Sequence, residues 1–314
     1  MTKLDLPLRS ALSYLAWPLL YGLGLCGAGA AFASDRPLLW FNLMYLCMVV
    51  VIAAGERWLP YENTWLDNDG ETFCDLAHTL LTKGLAQLGV AAASTLAIST
   101  ALIAQPSFSL SSMLWPSAWP MPAQVVLGLV VAELGLYVAH RMAHTHEALW
   151  RFHALHHSVT RLWVLNTGRF HLVDSCWKVA VSQTPLYGLG APLTVIVWIS
   201  AVTAVTGLLT HCNIQMRTGP LDWIFSTPRL HRWHHSKVLA EGNRNYGENL
   251  VLWDLLFGTY LNPTRRPPAD IGINGRIARG FLAQLKQPFT RAGVRSILGV
   301  QTQAKTRQDV DMQI

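Results

Sequence analysis

Charged residues are scarce in this chain. Asp, Glu, Lys and Arg make up 13% of its 314 residues, about half the share usual for soluble globular domains. Hydrophobic residues account for 51% of the sequence, and the mean hydropathy is positive, +0.28. This composition excludes an ordinary water-soluble enzyme and predicts an integral membrane protein.

Cysteine is also scarce, and several cofactor-binding and catalytic motifs are missing. Their absence excludes several classes of cofactor and enzyme. The five cysteines include no Cys-x-x-Cys pair, so the sequence predicts neither a disulfide framework nor an iron–sulfur cluster. No Gly-x-Gly-x-x-Gly segment opens a βαβ unit. Arg141 follows His140 where a zinc protease has glutamate. Haem, flavin and dinucleotide cofactors are therefore not expected within the chain.

Long apolar runs predict four membrane-spanning helices, at residues 8–33, 37–54, 76–104 and 124–139. Lys3 and Arg9 flank the first run, but no small-x-small cleavage site follows, so we expect an uncleaved span. A fifth apolar region, 179–210, is interrupted by proline and glycine. The interrupting residues are Pro185, Gly188, Gly190 and Pro192. This region either spans as a kinked helix or returns as a helical hairpin.

The distribution of positive charge favours the hairpin. With four spans and a returning hairpin, every lysine and arginine except Arg36 and Lys83 falls on the side that carries the histidines. Positive loops mark the cytoplasmic side. We therefore predict an all-α integral membrane fold with four transmembrane helices, a re-entrant helical hairpin and a cytosolic histidine-rich helical cap.

Histidines are concentrated in two parts of the sequence. Six of the twelve lie between His140 and His157, and a His-x-x-His-His pattern occurs twice. Histidines at positions i, i+3 and i+4 of a helix point from one face, and imidazole is a common metal ligand. Eight of them are therefore candidate metal ligands on the cytosolic face. They are His140, His144, His153, His156, His157, His231, His234 and His235.

Three further side chains are candidates for the same site. His171 and His211 are plausible ligands, the alternative for each being a hydrogen-bonded structural histidine. Glu133 lies on the helical stripe of His140 and His144. It either accepts an imidazole N–H or contacts metal, or it bonds a neighbouring helix for structure. His146 and His78 lie off these patterns and are predicted to be structural.

The number of candidate ligands exceeds what one ion needs. Structural zinc sites close at four ligands, commonly with cysteine, whereas eight to ten histidines are present here. The surplus predicts two metal ions. Imidazole suits iron, copper, zinc and nickel alike, so the ligand type alone leaves the metal open.

Several motifs then resemble the fatty acid hydroxylase and sterol desaturase superfamily over residues 124–262. They are His140-Arg-x-x-His144, Phe152-His-x-x-His-His-Ser158, Arg169-Phe-His171, Gly219-Pro-Leu-Asp-Trp-Ile-Phe225, Leu230-His-Arg-Trp-His-His-Ser236, Asn245-Tyr-Gly and Leu252-Trp-Asp-Leu-Leu-Phe-Gly-Thr259. The resemblance implies a membrane enzyme that binds two iron ions, although zinc can replace them on isolation. It also implies dioxygen as co-substrate and oxidation of an unactivated C–H bond in a membrane lipid.

The resemblance assigns ligands by position. It carries over the eight clustered histidines and His211, while the role of the matching His171 is less settled. Some members have a second histidine four residues before or after His211, where this chain has Gly207 and Gln215. One metal is thus expected to have fewer imidazoles or to use water.

Supporting residues and partners complete the prediction. Groups that orient the ligands are expected at Glu133, Asp174, Asn213, Asn245 and Asp254. For Asp254 a helix cap or salt bridge is the alternative. Electrons must come from a separate ferredoxin or cytochrome with its reductase. A basic face for such a donor, or for lipid headgroups, is predicted at Arg151, Arg161, Arg229, Arg232 and Lys237.

The predicted organisation has three parts: a transmembrane region with three spans (1–123), a catalytic region (124–262) and a basic tail (263–314). Within the tail, 276–289 is expected to form an amphipathic helix on the membrane surface. Hydroxylation of an acyl or alkyl chain is the leading function, and desaturation of a sterol, carotenoid or other lipid at the same site is its rival. A membrane zinc hydrolase and a metal carrier are the alternatives from other classes.

Overall fold

A computed structural model describes residues 6–85 and 114–298. Over these residues the chain is helical, and β-structure is limited to three isolated bridges. The helices are α1 (Leu6–Phe32), α2 (Pro37–Trp58), α3 (Thr72–Ala77), α4 (Met121–Thr145), α5 (Glu147–His157), α6 (Leu172–Leu189), α7 (Leu193–His211), α8 (Pro228–His234), α9 (Leu239–Gly242), α10 (Leu252–Leu256), α11 (Phe281–Lys286) and α12 (Arg291–Leu298). A π-helical segment, His78–Lys83, follows α3. The predicted all-α class is therefore confirmed.

Four of the described helices are long and apolar enough to cross a membrane: α1, α2, α4 and α7. The first three match the predicted spans 8–33, 37–54 and 124–139. The fourth, α7, lies within the interrupted apolar region and, with 19 residues, is about 28 Å long. The predicted span 76–104 begins in helical structure, but its part beyond residue 85 lies outside the described residues.

The interrupted apolar region contains two helices. Helix α6 ends at Leu189 and is followed by Gly190, whose φ of 79° is left-handed and suits glycine. Helix α7 begins at Leu193. Pro185 and Gly188 were expected to be breaks, but α6 continues through both. A proline removes only one backbone donor, which a helix can tolerate, whereas the left-handed turn at Gly190 redirects the chain.

The described residues fall into two compact units. Of these residues, the first unit combines 6–72, Val159–Thr167 and Ala201–Ile273, and the second combines 73–85, 114–158, Gly168–Ser200 and 274–298. In the first unit, side chains of α1, α2 and α7 form a buried apolar core. It contains Trp17, Met48, Ile52, Val205, Leu208 and Leu209. Burial of this surface is the main contribution to the stability of that unit.

In the second unit, α4 and α6 approach each other closely. A Cβ atom added to Gly135 of α4 would lie 2.5 Å from the carbonyl oxygen of Val181 and 2.6 Å from the Cα of Ser182. Glycine is therefore required for the two backbones to pack at this distance. The contact fixes α4, which carries His140 and His144, against the helix that carries Asp174.

The predicted amphipathic helix over 276–289 is not formed as one element. Helix α11 begins after Gly280, which has a φ of 89°. A 3-10 turn, Gln287–Phe289, separates it from α12. The positive φ of Gly280 and the missing N–H of Pro288 explain why a continuous helix is interrupted here.

Replacing the glycine at the α4–α6 contact tests this packing. We expect Gly135→Ala to lower the stability of the protein by about 1–3 kcal/mol, because the new methyl group forces two backbones apart. Thermal unfolding in detergent, followed by size-exclusion chromatography, measures the effect. Gly22→Ala in α1 is the matched control, since no atom lies within 4 Å of its added Cβ. Equal midpoint temperatures of thermal unfolding for both variants would contradict the close packing of α4 and α6.

Candidate metal centre

Four histidines of the second unit converge where α4 ends and α5 runs beside it. The Nε2 atom of His157 lies 3.1 Å from the Nε2 of His153 and 3.1 Å from the Nε2 of His144. His140 joins them from one turn earlier in α4, with its ring centroid 4.8 Å from that of His153. The ligand atoms of these four residues lie within 4.8 Å of one another. We call them the α4–α5 histidine group.

Three histidines of the first unit converge in the same way. The Nε2 atom of His231 lies 3.1 Å from the Nε2 of His211 and 3.1 Å from the Nε2 of His235. His211 is the last residue of α7, and His231 belongs to α8. All three side chains are buried. We call these residues the α7–α8 histidine group.

The two groups are built on one plan. Each uses the first and last histidine of a His-x-x-His-His motif, which lie four residues apart and so face one side of a helical turn. Each adds a histidine from the C-terminal turn of a long apolar helix: His144 from α4 and His211 from α7. Rigid helices therefore supply at least three imidazoles to each group.

The spacing of the nitrogens fits a shared metal ion. Imidazole nitrogens bind transition metals at about 2.1 Å, so two of them at right angles around one ion lie about 3.0 Å apart. The observed Nε2 separations of 3.1 Å agree with this value. A set of converging imidazoles without cysteine suits iron, copper, zinc or nickel.

Hydrogen bonds to Nδ1 orient the converging rings. The Nδ1 of His153 lies 2.9 Å from Oδ2 of Asp174, and that of His211 lies 3.2 Å from the carbonyl oxygen of Gly207. A proton held on Nδ1 leaves the lone pair of Nε2 directed into the group. Burial raises the pKa of Asp174 to about 6, while the charges of Lys178 and His171 lower it.

The middle histidine of each motif behaves differently from its neighbours. His156 is absent from the group formed by His153 and His157, and His234 from that of His231 and His235. The ring of His156 stacks on Phe170 at 4.1 Å. The Nδ1 of His234 lies 2.7 Å from the carbonyl oxygen of Arg244. Both rings are buried, so each is oriented away from the face used by its neighbours.

His171 does not fit the expectation that it binds metal. Its Nδ1 accepts the N–H of Val173 and caps α6, and its Nε2 lies 3.1 Å from the carbonyl oxygen of Leu285. Both ring nitrogens therefore have protein partners. His146 is exposed at the end of α4, and Nε2 of His78 lies 3.0 Å from Oε1 of Gln284. Structural roles for these two match the sequence-based expectation.

The predicted supporting residues lie in several environments. Asp174 contacts a ring nitrogen of His153, as described above. Asn213 uses both side-chain polar atoms on the backbone of Glu62. The side chain of Asn245 bonds the backbone of Leu230 and Leu261, and Asp254 accepts from Tyr246 and Gly247. Asn213, Asn245 and Asp254 therefore stabilise loops. Glu133 is buried, and its role as an imidazole acceptor stays a prediction.

Two of the arginines predicted to form a docking face are buried instead. Arg161 donates to the carbonyl oxygen of Asp67. Arg232 donates to the carbonyl oxygens of Cys212 and Ile214, at 2.9 and 3.0 Å. Burial lowers the pKa of Arg232 to about 10. A guanidinium that satisfies buried carbonyls cannot meet a partner protein, so this part of the prediction is wrong.

The structure also identifies a supporting residue that the sequence did not indicate. Glu56, at the end of α2, accepts the backbone N–H of Val164 and of Asn213 through Oε1, at 2.8 and 2.9 Å. Together with Arg232 it holds the segment that follows His211. The only signal in the sequence was an acidic residue at the edge of an apolar run, which headgroup contact explains equally well.

Comparisons with known proteins identify the family of this chain. A profile described as fatty acid hydroxylase matches residues 125–259. The chain is 63% identical to ornithine lipid hydroxylase OlsE of Rhizobium tropici, over 93% of this chain and 88% of that protein. It is 27% identical to alkylglycerol monooxygenase of Danio rerio, over 62% of this chain and 43% of that protein. No solved structure gives a significant match.

The chain belongs to the fatty acid hydroxylase family, as the motifs predicted. It is an oxidoreductase, since the matched relatives are hydroxylases and monooxygenases. Its four apolar helices and its family identify it as a membrane protein.

Removal of the carboxylate that contacts Nδ1 of His153 tests whether this hydrogen bond orients the imidazole ring. We expect Asp174→Asn to weaken metal binding by about 10- to 100-fold, because an amide holds the imidazole tautomer less firmly than a carboxylate. Iron titration of metal-free protein in detergent measures the affinity. Asp35→Asn, at an exposed position, is the control and should bind iron as the wild type does. Unchanged affinity in Asp174→Asn would show that this hydrogen bond does not support the site.

Proposed function

We propose that this protein hydroxylates an unactivated carbon atom of a membrane lipid, using dioxygen and a pair of iron ions. The observation that carries the proposal is the convergence of two groups of imidazoles, buried except for the half-buried His144, each with ring nitrogens 3.1 Å apart. The α4–α5 and α7–α8 histidine groups would each hold one ion. His156 and His234 are proposed as further ligands.

Iron is proposed because the family oxidises its substrates. Iron bound by nitrogen ligands supplies the reductive activation of dioxygen, which zinc cannot perform because it has no accessible second oxidation state. The residues of the chain would bind the iron ions and hold the imidazole rings in the orientation that binding requires. Asp174 holds the Nδ1 proton of His153, and the carbonyl oxygen of Arg244 holds that of His234. Buried rings also exclude bulk water, which favours oxidation of substrate over side reactions.

The proposed substrate class is an ornithine lipid. The relative that is 63% identical over most of both chains is named for hydroxylation of ornithine lipids. Desaturation of a lipid by the same site is the alternative within the class. A membrane zinc hydrolase is the second alternative, and the absence of a glutamate directly after a motif histidine argues against it.

We further propose that the histidine groups face the cytosol and that α6 and α7 form a hairpin that enters the membrane and returns. The distribution of lysine and arginine supports this arrangement. A cytosolic site would also allow a separate ferredoxin or cytochrome to deliver the two electrons that each hydroxylation requires. No haem or flavin motif is recognisable in the sequence.

Lipid analysis of a host that makes ornithine lipids, with and without this gene, tests the function. We expect the gene to produce ornithine lipids with one added oxygen atom, and fragmentation in the mass spectrometer locates that atom. Lipids with two fewer hydrogens would indicate desaturation instead. His156→Ala and His234→Ala should abolish the product while the protein remains inserted, because each removes a proposed ligand.

His146→Ala is the matched control, since His146 is an exposed histidine whose ring nitrogen lies beside the carbonyl oxygen of Met142. We expect it to retain the wild-type product level. Full turnover in both His156→Ala and His234→Ala would remove these residues from the ligand set.

A further inference from the structure

A surface of exposed apolar side chains lies outside the four candidate spans. It is formed by Trp223, Ile224, Leu252, Leu255, Leu256 and Phe257, which are between 36% and 64% exposed. We call these six residues the apolar patch. Contiguous apolar surface of this kind marks a protein or membrane contact, and the patch belongs to a region that the sequence assigned to the aqueous cap.

Two segments of the first unit form the patch side by side. The backbone N–H of Val251 donates to the carbonyl oxygen of Ile224 at 3.1 Å, and that of Ser226 donates to Asn249 at 2.9 Å. The ring of Trp223 stacks on Tyr260 with centroids 4.9 Å apart. Backbone hydrogen bonds therefore hold the two segments that carry the apolar side chains next to each other.

The segment that carries Trp223 and Ile224 follows the first candidate span. The backbone N–H of Arg217 donates to the carbonyl oxygen of Ser13 at 2.8 Å. Eight residues later in that segment, the ring of Phe225 packs against Trp17 and Tyr21, at 5.1 and 5.4 Å. From Ser13 to Tyr21, α1 advances about 12 Å. Phe225 thus lies beside the middle of α1, one of the four candidate membrane spans.

Carboxylates next to the patch are turned inward. Asp222 accepts hydrogen bonds from Thr218, Thr227 and Asn262. Asp254, within α10, accepts the backbone N–H groups of Tyr246 and Gly247 at 2.8 and 2.7 Å. Both are buried. Internal partners for polar groups, with apolar side chains outside, are what a segment in contact with hydrocarbon requires.

Cations mark the border of the patch. Arg217 is exposed and lies against Tyr14, its Nη1 3.3 Å from the phenol oxygen. The Nη1 of Arg244 donates to the carbonyl oxygen of Gly258, next to Phe257, at 2.7 Å. Arginines beside an apolar surface suit the headgroup layer, where they meet anionic phosphates.

We propose that the apolar patch inserts into the hydrocarbon of the lipid bilayer alongside α1. The part of the chain after His211 is then not a purely aqueous cap but carries an element that enters the membrane without crossing it. Three observations favour lipid over a second protein as the partner of the apolar patch. They are the packing of Phe225 against α1, the inward carboxylates and the bordering arginines.

Spin labels on the patch test this proposal. Ile224→Cys and Leu256→Cys are labelled in full-length protein whose exposed cysteines, Cys26, Cys47 and Cys176, are alanine. Electron paramagnetic resonance in lipid vesicles then compares collisions with dioxygen, which concentrates in hydrocarbon, and with a water-soluble nickel chelate. Asp270→Cys is the control, since Asp270 is exposed in the same unit.

We expect the ratio of dioxygen to nickel collisions to be several-fold higher at both patch positions than at Asp270→Cys. A ratio equal to that of the control would place the patch in water and overturn the proposal. Protection from both reagents with an immobilised label would indicate a protein partner and overturn it as well. Two labelled positions keep the test decisive if one variant fails to fold.

Discussion

Every feature of the candidate site depends on rings whose Nε2 lone pairs are held toward a common point. A fixed acceptor for the Nδ1 proton holds an imidazole in this orientation. Asp174 provides one for His153, and the carbonyl oxygen of Gly207 provides one for His211. The close passage of α4 and α6 at Gly135 brings the carboxylate within reach. Helix packing and metal chemistry are thus coupled through a few hydrogen bonds.

Much of this site is predictable from spacing. The four-residue separations of His153 from His157 and of His231 from His235 place each pair on one side of a turn, and the structure brings both pairs together. Spacing is less informative for the intervening histidine: His156 and His234 lie outside the groups of their neighbours. The two readings of His171 could not be separated from the sequence, because a helix cap and a metal ligand use the same lone pair; the structure shows its Nδ1 accepting the N–H of Val173.

In the membrane fold, too, some features are predictable from the sequence and others are not. Long apolar runs predict α1, α2 and α4, because hydrocarbon thickness sets a minimum length that composition reveals directly. Short apolar segments carry no such signal. Trp223, Ile224 and the α10 side chains become a surface only when the chain places them together beside α1. The burial of the arginines could not be predicted for a similar reason. Arg232 is buried because it donates to two carbonyl oxygens, and the sequence does not show which carbonyl groups lie near it in the fold.

We propose that the two histidine groups hold a pair of redox-active iron ions. Mössbauer spectroscopy of protein produced with ⁵⁷Fe, combined with metal analysis, tests this proposal. We expect two iron ions per chain in non-haem nitrogen sites, both ferrous after reduction and both oxidised when dioxygen is admitted with substrate. One ion per chain, or zinc that supports full turnover, would rule out the proposed di-iron centre.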